Sequence, residues 1–179
     1  MKVTNYRDLM AQQAAAAVKL SGAHHSSWSG QLGQIDRQSK VGGLAEWDHS
    51  IRYNPRVVDE PLQEMFRNSR VHLQDPADLG SYRSALKIVL HENVHMLASE
   101  GGDLAQAQYA FAHLDGVREL EESVTELYSQ QRLNDYIDEL GLDQVAPGIK
   151  EARSTPVYQD RRGDEARLRA DRQTRPDRI

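Results

Sequence analysis

The stretch Leu90–Leu97, which reads Leu-His-Glu-Asn-Val-His-Met-Leu, determines how the rest of this chain is interpreted. It places His91 and His95 four residues apart, with Glu92 directly after the first histidine. Residues i and i+4 of an α-helix share one face, so both imidazoles can bind a single metal ion. Glu92 lies about 100° further around the helix, where it can contact a metal-bound water without being a ligand. The pattern predicts a zinc site suited to hydrolysis.

Composition limits the classes of protein to which this chain can belong. It has 179 residues, a net charge of −5 and no cysteine. The length fits one domain with its own core. The acidic balance argues against a dedicated nucleic-acid-binding protein. Without cysteine, the chain has no disulfide bond, no cysteine-ligated zinc and no cysteine nucleophile.

The N-terminal sequence and the lengths of the apolar runs indicate the cellular compartment in which the protein is found. Residues 1–8 lack the apolar segment of a secretory signal, and no apolar run is long enough for a membrane span. We therefore expect a cytoplasmic protein with no membrane or nucleic-acid partner, although a non-classical export route is compatible with the sequence. The sequence leaves the oligomeric state open.

Alternation of apolar and polar residues predicts a small sheet. From Leu44 to Tyr53 every second residue is apolar or aromatic, which is typical of a strand, and Pro55 ends the run. A shorter strand is predicted around Gln31–Ile35. With helices over most of the remainder, the expected fold class is α+β and mostly helical.

Helix signals divide the rest of the chain. Thr4 or Asn5 can cap a helix that ends at Gly22, and its alanines favour a peripheral position. A short helix is predicted from about Glu60, and the metal-site helix from Asp75 or Ser81 to Gly101. Residues 104–114 and 116–140 are predicted to form one interrupted helix or two adjacent helices. The second part is expected to be buried through its apolar residues Val117, Leu120, Val124, Leu127 and Leu133. Residues 1–149 form the predicted domain, and 150–179 a charged, flexible tail.

The third ligand decides the type of zinc site, because a catalytic zinc usually has three protein ligands and one water. The extended histidine pattern fails, since Ala98 stands where it needs glycine and Gly101 where it needs the third histidine. A cysteine ligand is absent as well. These exclusions leave a downstream carboxylate as the expected third ligand.

The stretch Leu120–Tyr128, Leu-Glu-Glu-Ser-Val-Thr-Glu-Leu-Tyr, resembles the second signature helix of the gluzincin metallopeptidases, which include thermolysin-like enzymes and aminopeptidases. The resemblance implies a zincin-like domain whose edge strand, here Leu44–Tyr53, lies over the active-site helix. It implies that Glu122 is the third zinc ligand and that Glu126 orients a ligating histidine. The other candidate ligands are Glu121, Glu119, Asp115, His113, Asp103 and Glu100.

The expected function is that of a zinc metallopeptidase in which Glu92 activates a zinc-bound water to attack a peptide bond. The expected cofactor is Zn²⁺, and the expected partner is a peptide or protein substrate. Stabilisation of the oxyanion is assigned to His113 or Tyr128, with Tyr109, Tyr136, Tyr158 and Arg118 as further candidates. The alternative functions are a hydrolase of a non-peptide amide, an effector or toxin-type protease module, and a non-catalytic zincin-like binding domain.

Overall fold

The computed structural model describes residues 2–69, 75–98 and 104–154. The described residues form the predicted α+β class, with two small sheets where the sequence predicted one. The helices are α1 (Tyr6–Ser21), α2 (Glu60–Arg67), α3 (Pro76–His95), α4 (Leu104–His113) and α5 (Val117–Leu140). The strands are β1 (His25–Ser26), β2 (Leu32–Gln34), β3 (Gly43–Ala45), β4 (Ile51–Tyr53) and β5 (Leu97–Ala98).

Helix α3 lies at the centre and carries the histidine motif in its last turns. Its N-cap is Asp75, whose Oδ1 accepts a hydrogen bond of 2.8 Å from the backbone N–H of Ala77. The helix packs against α1, α2, α5 and β3, so its apolar side chains, such as Leu86 and Leu90, are fully buried. It ends at His95, earlier than predicted, and β5 then pairs antiparallel with β1. The predicted stop at Gly101 lies outside the described residues.

Helix α1 begins and ends as predicted, but it packs in the core. Asn5 caps it by accepting from the N–H of Asp8 at 2.9 Å, and Gly22 ends it in the left-handed conformation with φ 71°. Leu9, Gln13 and Ala16 are fully buried, so the predicted peripheral position is wrong. Small alanine side chains allow a helix to approach its neighbours closely, and here α1 packs on α3 and α5.

The predicted strand Leu44–Tyr53 is a hairpin in the structure. Strands β3 and β4 pair antiparallel, with Ala45 opposite Ile51, and β2 pairs parallel to β4, which gives the order β2-β4-β3. The chain reverses between them at Asp48, whose Oδ1 accepts from the N–H of Ser50 at 3.0 Å, and at His49, with φ 65°. The reversal makes β3 an edge strand of this sheet, and it lies against α3.

The apolar stripe predicted to bury the first half of α5 faces solvent instead. Leu120 is 66% exposed, Val124 57% and Leu127 55%, whereas Thr125 and Ser129 on the opposite side are buried. The reason is that inward side chains of this half, Glu122 and Glu126, contact the histidines of α3.

The folded core extends to the end of the predicted domain. Ile149 is fully buried, and Lys150 donates to Asp138 of α5 at 2.8 Å. The predicted tail falls outside the described residues from 155 onward. None of the helices over the described ranges has an apolar segment long enough to cross a membrane.

Candidate metal centre

The packing of α5 on α3 brings three potential ligands together. His91 and His95 lie on one face of α3, and Glu122 faces them from the second turn of α5. One ligand atom from each of these residues lies within 4.8 Å of the other two. This is the only such group of three among the residues that the structure describes. The resemblance in the sequence predicted this grouping, but helical spacing could not, because Glu122 lies 27 positions after His95 on another helix.

The distances between these atoms suit a zinc ion. The two Nε2 atoms of His91 and His95 are 3.0 Å apart. Oε2 of Glu122 lies 3.5 Å from Nε2 of His91, and its Oε1 lies 3.8 Å from Nε2 of His95. With bonds of about 2.0–2.1 Å, ligand atoms of a tetrahedral zinc are separated by about 3.3–3.5 Å. The three distances bracket that range, so the donor set and its spacing fit zinc.

The outer nitrogen of each imidazole faces a carboxylate. Nδ1 of His91 lies 3.3 Å from Oε2 of Glu126, and Nδ1 of His95 lies 2.5 Å from Oε1 of Glu121. Because a carboxylate oxygen accepts, the contact of His95 with Glu121 suits the tautomer with its hydrogen on Nδ1, whereas the 3.3 Å contact of His91 with Glu126 is an ion-pair distance without hydrogen-bond alignment. With the hydrogen on each Nδ1, both Nε2 lone pairs are available to one ion, as in metal sites with carboxylate-oriented histidines.

If both rings have the hydrogen on Nδ1, the spacing of their Nε2 atoms is compatible with a cation between them. Two Nε2 lone pairs facing each other at 3.0 Å repel unless a positive charge lies between them. A shared proton or a metal ion can supply that charge. The neighbouring carboxylate of Glu122 adds a third donor, which favours a metal ion.

The charge around the site also favours a cation. Nζ of Lys87 donates to Oε1 of Glu126 at 2.6 Å. The contacts of Glu126 with His91 and then with Lys87 hold the pKa of its carboxyl well below the usual range, so it is ionised at neutral pH. Counted at their formal charges and with neutral imidazoles, the four carboxylates of Glu92, Glu121, Glu122 and Glu126 and the one ammonium of Lys87 give a net charge of −3, which favours a bound cation.

Glu92 is held between α3 and the edge strand β3. It is 1% exposed, and its Oε2 accepts a hydrogen bond of 2.9 Å from the backbone N–H of Ala45. A Cβ on Gly43 would lie 2.5 Å from Cγ of Glu92, closer than real Cβ contacts come. Only glycine at position 43 therefore leaves room for this carboxylate. The strand and the helix together determine where Glu92 points.

The hairpin also reaches α4, on the chain between the two metal-site helices. The ring of Trp47, in the turn between β3 and β4, meets the ring of Phe111 edge-on at 5.6 Å. The guanidinium of Arg118, at the start of α5, lies 5.7 Å from the centre of the same Phe111 ring. These contacts connect β3, α4 and α5 around the candidate site.

The residues predicted to stabilise an oxyanion occupy different environments. His113 is exposed on α4, with its Nδ1 3.0 Å from the carbonyl oxygen of Tyr109. The hydroxyl of Tyr128 is buried without a hydrogen-bond partner, on the residue two positions after Glu126. Tyr136 is fully buried in the core and donates to the carbonyl oxygen of Gln13. Tyr158, and the alternative ligands Asp103 and Glu100, lie outside the described residues.

Sequence reasoning missed two contributions to the site. It considered Glu121 only as an alternative ligand, whereas Glu121 contacts Nδ1 of His95, on the side of the ring away from Nε2, the nitrogen near His91 and Glu122. It assigned no role to Gly43, which leaves space for Glu92. The first could have been inferred from the spacing, since a second histidine that binds a metal commonly has its own hydrogen-bond acceptor and Glu121 is adjacent to Glu122. The second depends on a contact between a strand and a helix that no local pattern encodes.

Comparisons of this chain with protein-family models, curated proteins and solved structures gave no match.

Proposed function

We propose that this protein is a zinc-dependent metallopeptidase with a zincin-like fold. The observation that carries the proposal is the convergence of Nε2 of His91, Nε2 of His95 and a carboxylate oxygen of Glu122 within 4.8 Å. The motif glutamate, Glu92, follows the first of these histidines on the same helix. Two imidazoles, one carboxylate and an adjacent second glutamate are the side chains that metal-assisted hydrolysis uses.

The residues have separate roles in this proposal. His91, His95 and Glu122 hold the ion, while Glu126 and Glu121 keep the two imidazoles in the ligating tautomer. Zinc, when bound, lowers the pKa of a coordinated water to about 7 and polarises a carbonyl group. Glu92 removes the proton from the attacking water and delivers it to the leaving amine. The N–H of Ala45 fixes the carboxylate that performs both transfers.

The edge strand supports a peptide as substrate. Strand β3 lies at one edge of the three-stranded sheet and contacts α3 through Ala45 and Glu92. An extended peptide can pair with such an edge by main-chain hydrogen bonds, which bring its carbonyl groups past the helix. This arrangement favours an amide bond within a peptide over an amide in a small molecule.

One observation favours a second candidate function, a metal-stabilised binding domain without turnover. Glu92 is 1% exposed and bonded to the backbone of β3, which is also what a residue fastening a strand to a helix does. The two candidates agree on zinc and differ on hydrolysis. They also differ on whether Glu92 serves catalysis or stability.

The test compares the wild type with Glu92→Gln, which keeps the size of the side chain and removes its basicity. Both proteins are purified with added zinc, and bound metal is measured together with cleavage of an unstructured protein and a mixed peptide library. We expect about one zinc per chain in both proteins. We expect cleavage to fall by about 10²–10⁴-fold in Glu92→Gln, because a general base is lost.

Glu119→Gln is the matched control. Glu119 is exposed on α5, so this variant makes the same change from glutamate to glutamine at a position away from the metal centre. It should cleave like the wild type. Zinc binding without cleavage in the wild type, with a lowered melting temperature in Glu92→Gln, would favour the binding domain. A wild type that binds no zinc would contradict both candidates.

A further inference from the structure

A buried polar side chain lies on the side of α3 opposite to the metal centre. Asn93, which follows Glu92 in the histidine motif, is fully buried. At about 100° per residue, its side chain points about 180° away from the mean direction of His91 and His95. Amides are mostly exposed in proteins, and buried ones need hydrogen-bond partners. The proposed function gives this residue no role.

The amide of Asn93 joins α3 to two other elements of the fold. Its Nδ2 donates to Oε1 of Gln13 on α1 at 3.0 Å and to the hydroxyl of Tyr53, the last residue of β4, at 3.4 Å. The hydroxyl of Tyr53 donates to the same Oε1 of Gln13 at 2.6 Å. All three side chains are buried. These three residues, which we call the Asn93 network, connect α1 and β4 to the last turns of α3 by directed bonds.

The Asn93 network also reaches the other elements that build the site. Tyr53 pairs in register with Gly43, the residue of β3 against which Glu92 packs. The hydroxyl of Tyr136 on α5 donates to the backbone carbonyl oxygen of Gln13 at 3.1 Å. Helix α5 supplies the carboxylate of the metal centre. The network therefore contacts α3, the hairpin of β3 and β4, and α5, which together hold every residue of the candidate site.

Stability does not explain an amide at this position. Oδ1 of Asn93 is buried without a hydrogen-bond partner among the described residues. Such an acceptor is destabilising, because it has lost its bonds to water. With an apolar residue at position 93, Oε1 of Gln13 would still accept from Tyr53, so the other two members of the network would stay bonded to each other.

We propose that Asn93 is a positioning residue, which fixes the rotation of α3 about its axis through Gln13 and Tyr53. Apolar packing is non-directional, whereas hydrogen bonds depend on distance and angle and can select one orientation of a helix. Both histidines and Glu92 extend from the last turns of α3, but the third ligand comes from α5. A rotation of α3 would therefore separate the histidines from Glu122. The inference rests on the proposed function, because it concerns the placement of that site.

The first test is Asn93→Leu, because leucine has the same number and branching of side-chain heavy atoms. Urea unfolding in a chelator should give a midpoint equal to or above that of the wild type, since an unpartnered acceptor is removed. Zinc affinity, measured by competition with a chromogenic chelator, should fall about tenfold, because only a fraction of the molecules has the ligating orientation. The kcat of peptide cleavage should fall by at least about tenfold with KM unchanged, since β3 is not altered.

A second variant keeps the test valid if leucine overfills the core. Asn93→Ala removes the same amide without adding volume. It should weaken zinc affinity by a similar factor, and the cavity that it leaves should lower the unfolding midpoint. The two variants thus change stability in different directions and zinc affinity in the same direction. A residue with a structural role alone would not produce that pattern.

Tyr53→Phe and Tyr82→Phe form a matched pair, since each removes the hydroxyl of a tyrosine that is 1% exposed. Tyr82 lies near the start of α3, where its hydroxyl accepts from Asn68 at 3.1 Å, outside the Asn93 network. Tyr53→Phe should weaken zinc affinity by about threefold or more, because the network loses one of its bonds. Tyr82→Phe should bind zinc like the wild type.

The outcomes separate this inference from the proposed function. Wild-type zinc affinity and kcat in both Asn93→Leu and Asn93→Ala would overturn the inference. Equal losses of zinc affinity in Tyr53→Phe and Tyr82→Phe would also overturn it, by indicating a general effect of buried hydroxyls. A wild type that binds zinc without cleaving peptides would contradict the peptidase instead, and the zinc affinities would then decide the inference alone. A wild type that binds no zinc would contradict both.

Discussion

The two halves of α5 bury opposite kinds of side chain on the same face. In the second half Leu133, Tyr136, Ile137 and Leu140 are at most 2% exposed. In the first half the inward positions hold Glu122, Thr125, Glu126 and Ser129, while leucine and valine face solvent. At about 100° per residue, all eight inward residues lie on one side of a single helix.

This contrast shows that contacts with the candidate metal centre explain which side chains of the first half of α5 face inward. Their hydrophobicity does not explain it. Carboxylates are rarely buried unless they are paired or bind a metal. Those of the first half contact imidazoles and Lys87, so their inward position is compensated. The second half stabilises the helix against α1 and α3 by ordinary apolar packing. In the proposed function, one half thus supports the metal centre, while the other supports the fold.

The largest expected effect compares the same substitution in the two halves. Leu133→Ala should lower the free energy of unfolding by about 2–5 kcal/mol, because it leaves a cavity in the core. Leu127→Ala should change it by about 0.5 kcal/mol or less, because that side chain is solvated in the monomer. Urea unfolding at low protein concentration measures both. Equal losses of unfolding free energy in the two variants would mean that the apolar side chains of the first half are also packed against the fold.

The next effect concerns the inward glutamate of the first half. Zinc at about 100 times its Kd should stabilise the wild type by about 2.7 kcal/mol, and Glu122→Ala should lose most of that gain. Thermal unfolding with and without zinc provides the measurement. Glu119→Ala, an exposed neighbour on the same helix, should respond to zinc like the wild type. If zinc stabilises Glu122→Ala fully, another residue supplies the third ligand.

The smallest expected effect concerns the two carboxylates that face Nδ1 atoms. Glu126→Gln and Glu121→Gln should each weaken zinc affinity by about 10–100-fold, because the ligating tautomer loses its charged partner. Competition with a chromogenic chelator measures the affinity, with Glu119→Gln as the matched control. A loss in Glu126→Gln alone would indicate that the contact between Glu121 and His95 does not matter for binding.

Local signals in the sequence predicted the helices well. Asn5 and Gly22 delimit α1 and Asp75 begins α3, because capping depends on a few neighbouring residues. The α+β class followed from the same kind of evidence. The hairpin was missed because apolar alternation continues from β3 into β4, and Asp48 and His49 form a turn without glycine or proline.

The orientation of α5 was predicted wrongly for a reason visible in the spacing. Leu133 was grouped with Val117, Leu120, Val124 and Leu127, but six residues separate Leu127 from Leu133. A step of six residues turns a helix by about 600°, which places Leu133 about 120° from Leu127 and about 160° from the mean direction of the four residues before it. The phase of the apolar pattern therefore changes in the middle of α5. The sequence shows this change of phase, but the periodicity of the apolar residues does not tell which of the two faces of the helix is buried.

The sequence by itself determined the chemistry available to this protein. The spacing of His91, Glu92 and His95 on a helix, and the absence of cysteine, depend only on residue identity and helical geometry. Tertiary structure decided which carboxylate joins the histidines, which face of α5 turns inward and how β3 holds Glu92. Those outcomes depend on contacts between residues far apart in the chain. Local patterns cannot encode such contacts, because they arise only when whole elements pack.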